Sequence, residues 1–202
     1  MNRRLLLGTR NPGKVKEITT ILEDSGWTFS SLQEFAAVGP AAEDGVTYAE
    51  NAIAKARFYA AATGLLALAD DSGLEVAALG GAPGVYSARY AGEGASDADR
   101  RALLLAELIR VDARDRRARF VASVAIAHPN GEVLNLSEGI CEGTITFEPR
   151  GNSGFGYDPL FVPDGYHQTF AELSDEVKNR ISHRARALMR LRDSLDHLEP
   201  AS

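Results

Sequence analysis

Arg4-Leu5-Leu6-Leu7-Gly8-Thr9-Arg10-Asn11-Pro12-Gly13-Lys14-Val15 is the stretch on which the fold turns. Its apolar run stops at Gly8, and Val15, Ile18, Ile21 and Leu22 then share one helical face, so a strand, a loop and a helix follow one another. Asn11 is placed to cap that helix, with Pro12 at its first position, where a missing N–H costs nothing; Gly26 suits the stop. Gly8 to Lys14 also has the spacing of a phosphate-binding loop, two glycines and a lysine between strand and helix. Val15 departs from that pattern, because a phosphate-loop NTPase puts Ser or Thr there to hold magnesium and valine cannot ligate a metal. The N–H groups of the helix start, the Thr9 and Asn11 side chains and the Lys14 ammonium still favour a bound phosphate. An ordinary capped helix with a surface lysine is the alternative.

Outward from this stretch, Trp27 to Leu32 offers a second short strand. Thr47-Tyr48-Ala49-Glu50 is a capping box that opens a second helix, which Gly64 ends. Leu65 to Ala69 reads as a buried strand running into Asp70-Asp71-Ser72-Gly73, a turn-rich acidic end, and Gly80 to Gly94 reads as loop. Ser96 caps a third helix with Ala102, Leu105, Leu108 and Ile109 on one face, and Asp112 to Arg117 is a charged connector. Phe120, Ala122, Val124 and Ile126 alternate with their neighbours between Arg119 and Ala127, and Pro129-Asn130-Gly131 turns the chain into a partner strand through Leu136. Gly151 to Gly156 is a glycine loop before a brief strand at Leu160 to Val162. The last helix begins near Ser182, with Leu188, Leu191, Leu195 and Leu198 as its stripe. Helices and strands without strict alternation imply an α/β domain with a mixed, strongly twisted sheet.

At 202 residues and 45% hydrophobic, the chain has the composition of one globular domain, 1–202, with room for two lobes. Twenty-eight acidic against 22 basic residues leave a net charge of -6. The overall field therefore repels polyanions and argues against a nucleic-acid binder, so an anionic ligand needs a local basic pocket. Cys141 is the only cysteine, which excludes an internal disulfide and reads as a packed thiol. After Met1-Asn2-Arg3-Arg4 come only three leucines, too few for a signal peptide. Glu50, Lys55 and Arg57 interrupt the alanine-rich stretch from Ala49 to Gly64, so no membrane span is expected. A soluble protein of the cytoplasm is the expectation.

Asp70 and Asp71 are adjacent carboxylates that repel unless a proton or cation stabilises them. Magnesium suits such a pair, since it takes one or two carboxylates plus phosphate oxygens and water. Glu43, on the loop before the second helix, is a further candidate ligand, and solvated carboxylates in an Asx-turn are the alternative. Phe155-Gly156-Tyr157-Asp158 carries two aromatics able either to stack on a flat ring or to fill core. Ser182-His183-Arg184 combines backbone donors, an imidazole and a guanidinium, with Lys178 one helical turn earlier; a solvated basic patch is the alternative.

Together the segments Thr9-Arg10-Asn11-Pro12-Gly13-Lys14, Glu50-Asn51-Ala52, Ala69-Asp70-Asp71-Ser72-Gly73-Leu74, Gly81 to Tyr90, Gly154-Phe155-Gly156-Tyr157-Asp158-Pro159 and Ser182-His183-Arg184 resemble the inosine triphosphate pyrophosphatase family. The likeness spans nearly the whole chain in the family's order. Arg10 stands where relatives often have a small residue, and Ala42 leaves fewer acidic residues before Glu43.

The resemblance implies a central mixed twisted sheet with two lobes around a nucleotide-binding cleft, and a homodimer. It implies magnesium-dependent hydrolysis of nonstandard purine nucleoside triphosphates such as ITP, dITP, XTP and dXTP to monophosphate and pyrophosphate. Thr9, Arg10, Asn11, Pro12, Gly13 and Lys14 are carried over as triphosphate contacts, Asp71 as magnesium ligand and general base, and Ser72 as a substrate contact. Phe155, Gly156, Tyr157, Asp158, Lys178, His183 and Arg184 are carried over as further substrate contacts, the last two nearest the base. A phosphate-loop kinase or GTPase, a nucleotide sensor without catalysis, and a related pyrophosphatase for modified pyrimidines are the rival readings.

Overall fold

Three leucines of β1 (Arg4–Leu7) are shielded from water, and this strand pairs in parallel with β2 (Thr28–Ser31) on one side and β3 (Leu66–Val76) on the other. The computed structural model describes residues 3–111 and 114–198. Met1, Asn2 and Asp112, which the sequence reading used for the chain start and the connector, lie outside the described residues. The sheet continues through β4 (Arg117–Ala127), β5 (Val133–Ile145) and β6 (Phe161–Pro163), in the order β2-β1-β3-β4-β5-β6. With β1 parallel to its neighbours and β6 antiparallel to β5, the sheet is mixed, as expected.

The helices begin where the capping signals put them. Asn11 accepts from the Gly13 and Lys14 N–H groups at the start of α1 (Pro12–Ile21). Thr47 and Glu50 form both bonds of the capping box of α2 (Tyr48–Thr63), which stops at left-handed Gly64. Ser96 and Asp99 do the same for α3 (Asp97–Arg110). Sequence reading missed the short helix α4 (Asp175–Ile181), which precedes α5 (His183–Leu195) directly.

Four expectations change. Asp70 to Gly73 is not a turn: β3 runs on through it to Val76. The stretch Gly80 to Gly94 is not all loop, since Gly84–Arg89 winds into a 3-10 helix. On α3 the buried positions are Leu104 and Leu108, while Ala102 is exposed and Ile109 stands 77% exposed, so the apolar face is rotated from the expected one. The hairpin partner β5 extends well past Leu136, to Ile145. None of the helices among the described residues is long and apolar enough to cross a membrane.

The chain forms two compact units, one of Met1–Asp71, Ala122–Gly139 and His183–Ser202, the other of Ser72–Val121 and Ile140–Ser182. In the first, side chains alternate across the sheet. Leu66 and Leu68 pack with Ile18 and Leu22, from α1 and its end, and with Leu188 and Leu191 of α5, whereas Ala67 and Ala69 pack with Ala52, Ala56 and Tyr59 of α2. One face of β3 therefore meets α1 and α5 and the other meets α2. Gly139 permits a close approach of α5 to β5, because a Cβ there would lie 2.0 Å from the His183 carbonyl oxygen. The second unit has its own core around Leu74, Leu104, Phe120, Phe161 and Phe170.

Candidate active site

The alternation of β3 sends its two adjacent carboxylates to opposite faces. Asp70 continues the Leu66, Leu68 row and so meets the cations of α1 and α5. Its Oδ2 takes the Lys14 ammonium at 3.1 Å and the Arg184 guanidinium at 3.1 Å from Nε and 3.0 Å from Nη2. Arg184 also donates from Nη1 to Glu17, one turn after Lys14 on α1. Asp70 and Arg184 are each 1% exposed. Burial alone raises the Asp70 carboxyl, but Lys14, Arg184 and Lys55 overcome it and hold the group far below the usual carboxylate range. Arg184 is conversely held above its ordinary value, burial being outweighed by Asp70 and Glu17.

Asp71 continues the Ala67, Ala69 row and meets α2. Lys55 donates to its Oδ1 at 2.8 Å and Asn51 to its Oδ2 at 3.1 Å. Asn51 and Lys55 stand four residues apart, hence on one helical face. The same Lys55 ammonium reaches Glu43 at 3.0 Å, so one cation joins the Asp71 and Glu43 carboxylates. Here burial wins: Asp71 is pushed above its ordinary value despite Lys55 and Lys14. The pair thus splits into a firmly ionised, structural Asp70 and an Asp71 whose proton affinity is raised.

Around this pair the loop takes shape differently from a free phosphate cradle. The Gly13 and Lys14 N–H groups already donate to Asn11, at 2.9 and 3.2 Å, and Arg10 donates to the Val38 carbonyl. Thr9 Oγ1 accepts from the Asn11 N–H at 3.2 Å. Burial lowers the affinity of Lys14 for its proton, with Asp70 opposing. Sequence reading did not single out Lys55 or Glu17 as chemistry, and took Asn51 only as part of the Glu50-Asn51-Ala52 segment. Their signals were there: Asn51 and Lys55 share a helical face, and Glu17 lies three residues after Lys14.

The second unit holds Ser72, Phe155, Gly156, Tyr157, Asp158 and Lys178, while His183 and Arg184 belong to the first. Lys178 is buried and donates to Asp158 Oδ2, with its ammonium 4.9 Å from the Phe155 ring centroid and 5.7 Å from that of Phe170. Tyr157 resolves the choice between core and stacking: it is 4% exposed, packs in the core and donates its hydroxyl to the Ser87 carbonyl at 3.0 Å. Phe155 is the partly exposed aromatic. The alternative of a solvated basic patch at Lys178, His183 and Arg184 is overturned, since all three are buried. Ser72 follows Asp71 on β3 and is partly exposed.

A metal fits this donor set in part. Among the described residues no group of three or more His, Cys, Asp or Glu side chains converges. Magnesium needs only one or two carboxylates when phosphate oxygens and water complete its shell, and the Asp71 and Glu43 carboxylates already share one cation, the Lys55 ammonium. Asp70 gives its Oδ2 to Lys14 and Arg184.

A mixed sheet with a buried acid–base cluster, and with Val15 where a phosphate-loop NTPase needs a hydroxyl, defines an α/β protein outside the phosphate-loop class. The Ham1 family profile matches residues 5–194, and the chain belongs to that family. A dITP/XTP pyrophosphatase of Desulforamulus reducens is 52% identical over 195 residues, 96% of each chain. One from Thermus thermophilus is 50% identical over 188 residues, 93% of this chain and 89% of the other. The solved HAM1 protein of Coxiella burnetii superposes with a TM-score of 0.87 at 44% identity, covering 96% of this chain and 99% of that one. These names agree with the resemblance carried by the motifs.

Proposed function

We propose that this protein hydrolyses nonstandard purine nucleoside triphosphates, ITP, dITP, XTP and dXTP, to monophosphate and pyrophosphate. The observation that carries the reading is the division of the Asp70-Asp71 pair: one carboxylate locked in ion pairs, the other raised in proton affinity and held by Lys55 and Asn51. The names of the relatives support the substrate class.

In this reading Asp71 is the general base, orienting and deprotonating the water that attacks the α-phosphorus. A raised carboxyl pKa suits it, because a base works best with a pKa near the working pH. Lys14 and Lys55 offset charge on the phosphates, and Thr9 to Gly13 shape the loop they approach. Asp71 and Glu43 would hold magnesium, which when bound neutralises phosphate charge and polarises the reacting phosphoryl group. Phe155 offers its ring to the base, while Lys178 and Asp158 hold that ring in place. His183 and Arg184 stay assigned to the substrate, and Arg184 acts also through Asp70 and Glu17. Ser72 is assigned to the substrate beside Asp71. The two units work as one domain, in a cytoplasmic homodimer that takes no nucleic acid or membrane as partner.

Product identification tests the reading. With ITP and magnesium, IMP and pyrophosphate are expected, and excess chelator is expected to stop turnover. IDP with orthophosphate would favour a phosphate-loop type of cleavage, and binding of ITP without turnover would favour a sensor.

A further inference from the structure

Phe155 sits between two glycines in the left-handed region, Gly154 at φ 75 and Gly156 at φ 58. Glycine rotates more freely than any other residue, so an aromatic flanked by two of them has no fixed direction unless other groups supply it. On the Gly154 side Asp158 does so, by accepting from the Phe155 N–H at 2.8 Å. The Gly156 side is held from another element altogether. Asp97 Oδ2 accepts from the Gly156 N–H at 2.7 Å, and Arg101 Nη1 donates to the Gly156 carbonyl at 2.7 Å.

Asp97 and Arg101 stand four residues apart on the first turns of α3, so one helical face presents an acceptor and a donor together. The two bonds fall on the two peptides that flank Gly156, the Phe155–Gly156 peptide through its N–H and the Gly156–Tyr157 peptide through its carbonyl. Both soft torsions of Gly156 are thereby fixed. Arg100 pairs with Asp97 and also donates to the Ala88 and Ala95 carbonyls, at 2.9 and 2.6 Å, which fixes the acceptor in turn. Burial pushes the Asp97 carboxyl up, but the Gly156 N–H and Arg100 outweigh it and hold the group ionised below its ordinary value.

We propose that Asp97 and Arg101 are positioning residues for base recognition, a two-sided clamp on Gly156 that fixes the Phe155 ring for the purine. The inference rests on the reading that Phe155 contacts the base. Neither residue touches the reacting phosphates in this account, so the clamp acts on substrate affinity and leaves the chemical step alone.

Steady-state kinetics with ITP tests it, with inhibition by inorganic pyrophosphate as a probe of the phosphate-binding residues alone. Asp97→Ala and Arg101→Ala each raise KM by about tenfold, the scale of ordering one backbone residue on binding. They leave kcat within about threefold and the pyrophosphate inhibition constant unchanged. Asp97→Asn keeps an acceptor oxygen for the Gly156 N–H and restores KM to near the native value. The double variant is no worse than about one single variant, because both side chains hold the same residue. Should Asp97→Ala fail to fold, Arg101→Ala, which leaves the Ser96 cap of α3 intact, decides alone.

An unchanged KM in both alanine variants overturns the clamp, as does a pyrophosphate inhibition constant that rises in step with KM. Phe155→Ala separates the two layers. If it raises KM while the clamp variants do not, the clamp fails and the base reading stands; if Phe155→Ala leaves KM unchanged, the base reading itself fails.

Discussion

The two units hold their candidate residues by different physics. In the first, the functional side chains are charges locked by other charges: Lys14, Asp70, Arg184 and Glu17 form one chain of ion pairs, and Lys55 joins Asp71 to Glu43. In the second, a glycine-flanked loop is held by hydrogen bonds to its backbone, around one buried Lys178–Asp158 pair and an aromatic core. Charge locked in low dielectric tunes proton affinity and so governs rate, whereas a fixed loop governs fit. The contrast teaches that damage to the first unit's cluster is read in kcat or in stability, and damage to the second unit's loop in KM.

The largest effect is expected from Asp71→Asn, which removes the base while keeping the shape. Turnover at saturating ITP and magnesium falls by ~10²–10⁴, the usual contribution of a general base. Stability falls by less than in Asp70→Asn, because Lys55 keeps Glu43 as a partner and the amide oxygen still accepts one of the two hydrogen bonds. Near-native turnover would remove Asp71 from the mechanism.

Asp70→Asn acts on the other member of the pair. It leaves a buried Arg184 and a half-buried Lys14 with one carboxylate fewer, and breaking a buried pair such as Arg184–Asp70 costs ~3–5 kcal/mol. Chemical denaturation measures it, and a loss below about 1 kcal/mol would mean the cluster relaxes freely. The dependence on pH follows from the signs. Asp70 has a folded pKa below its ordinary 3.8, so its stabilisation is complete above that value and is lost as pH falls through the folded pKa. The stability gap between the native chain and Asp70→Asn therefore stays constant at neutral pH and closes only in strong acid.

Asp71 has the opposite sign. Its folded pKa lies above 3.8, so its protonation favours the folded state in acid, and that contribution is lost as pH rises through the folded pKa. In the rate, kcat/KM for ITP falls on the acid side as Asp71 takes up its proton, and Asp71→Asn lacks this limb. The same acid limb in Asp71→Asn as in the native chain would contradict the assignment.

The smallest effect on turnover is expected in the second unit. Lys178→Met strips the partner from Asp158 and the cation from the Phe155 ring. KM for ITP rises by about tenfold, the worth of a hydrogen bond to a charged group, with a smaller change in kcat. A fall in kcat with KM unmoved would reverse the contrast between the units.

How far the sequence carried this depends on the range of the forces. Caps are local, and Asn11, Thr47, Glu50 and Ser96 occupy the positions their residue types suggest. Asp70 to Gly73 misled for the same local reason. Asp, Ser and Gly favour turns, but Lys14, Arg184, Lys55 and Asn51, brought in from three helices, pair with Asp70 Oδ2 and with both oxygens of Asp71 and let the strand continue. Lys55 and Glu17 escaped notice because charged residues inside helices ordinarily face water, and only the sheet's alternation shows that they do not. Ile109 shares a helical face with Leu105 and Leu108 by spacing, yet Leu104 and Leu108 are the side chains of α3 that are buried.

The account stands most directly on the unequal fates of two neighbouring carboxylates, and a paired measurement on Asp70→Asn and Asp71→Asn tests it. Turnover of ITP at saturating substrate and magnesium is normalised to the folded fraction, and unfolding free energy is measured on the same preparations. The account predicts that Asp71→Asn loses at least ~10² in turnover and the smaller share of stability, while Asp70→Asn loses more stability and, per folded molecule, turns over faster than Asp71→Asn. The reverse ordering, with Asp70→Asn stable and inactive and Asp71→Asn unstable and active, would contradict it.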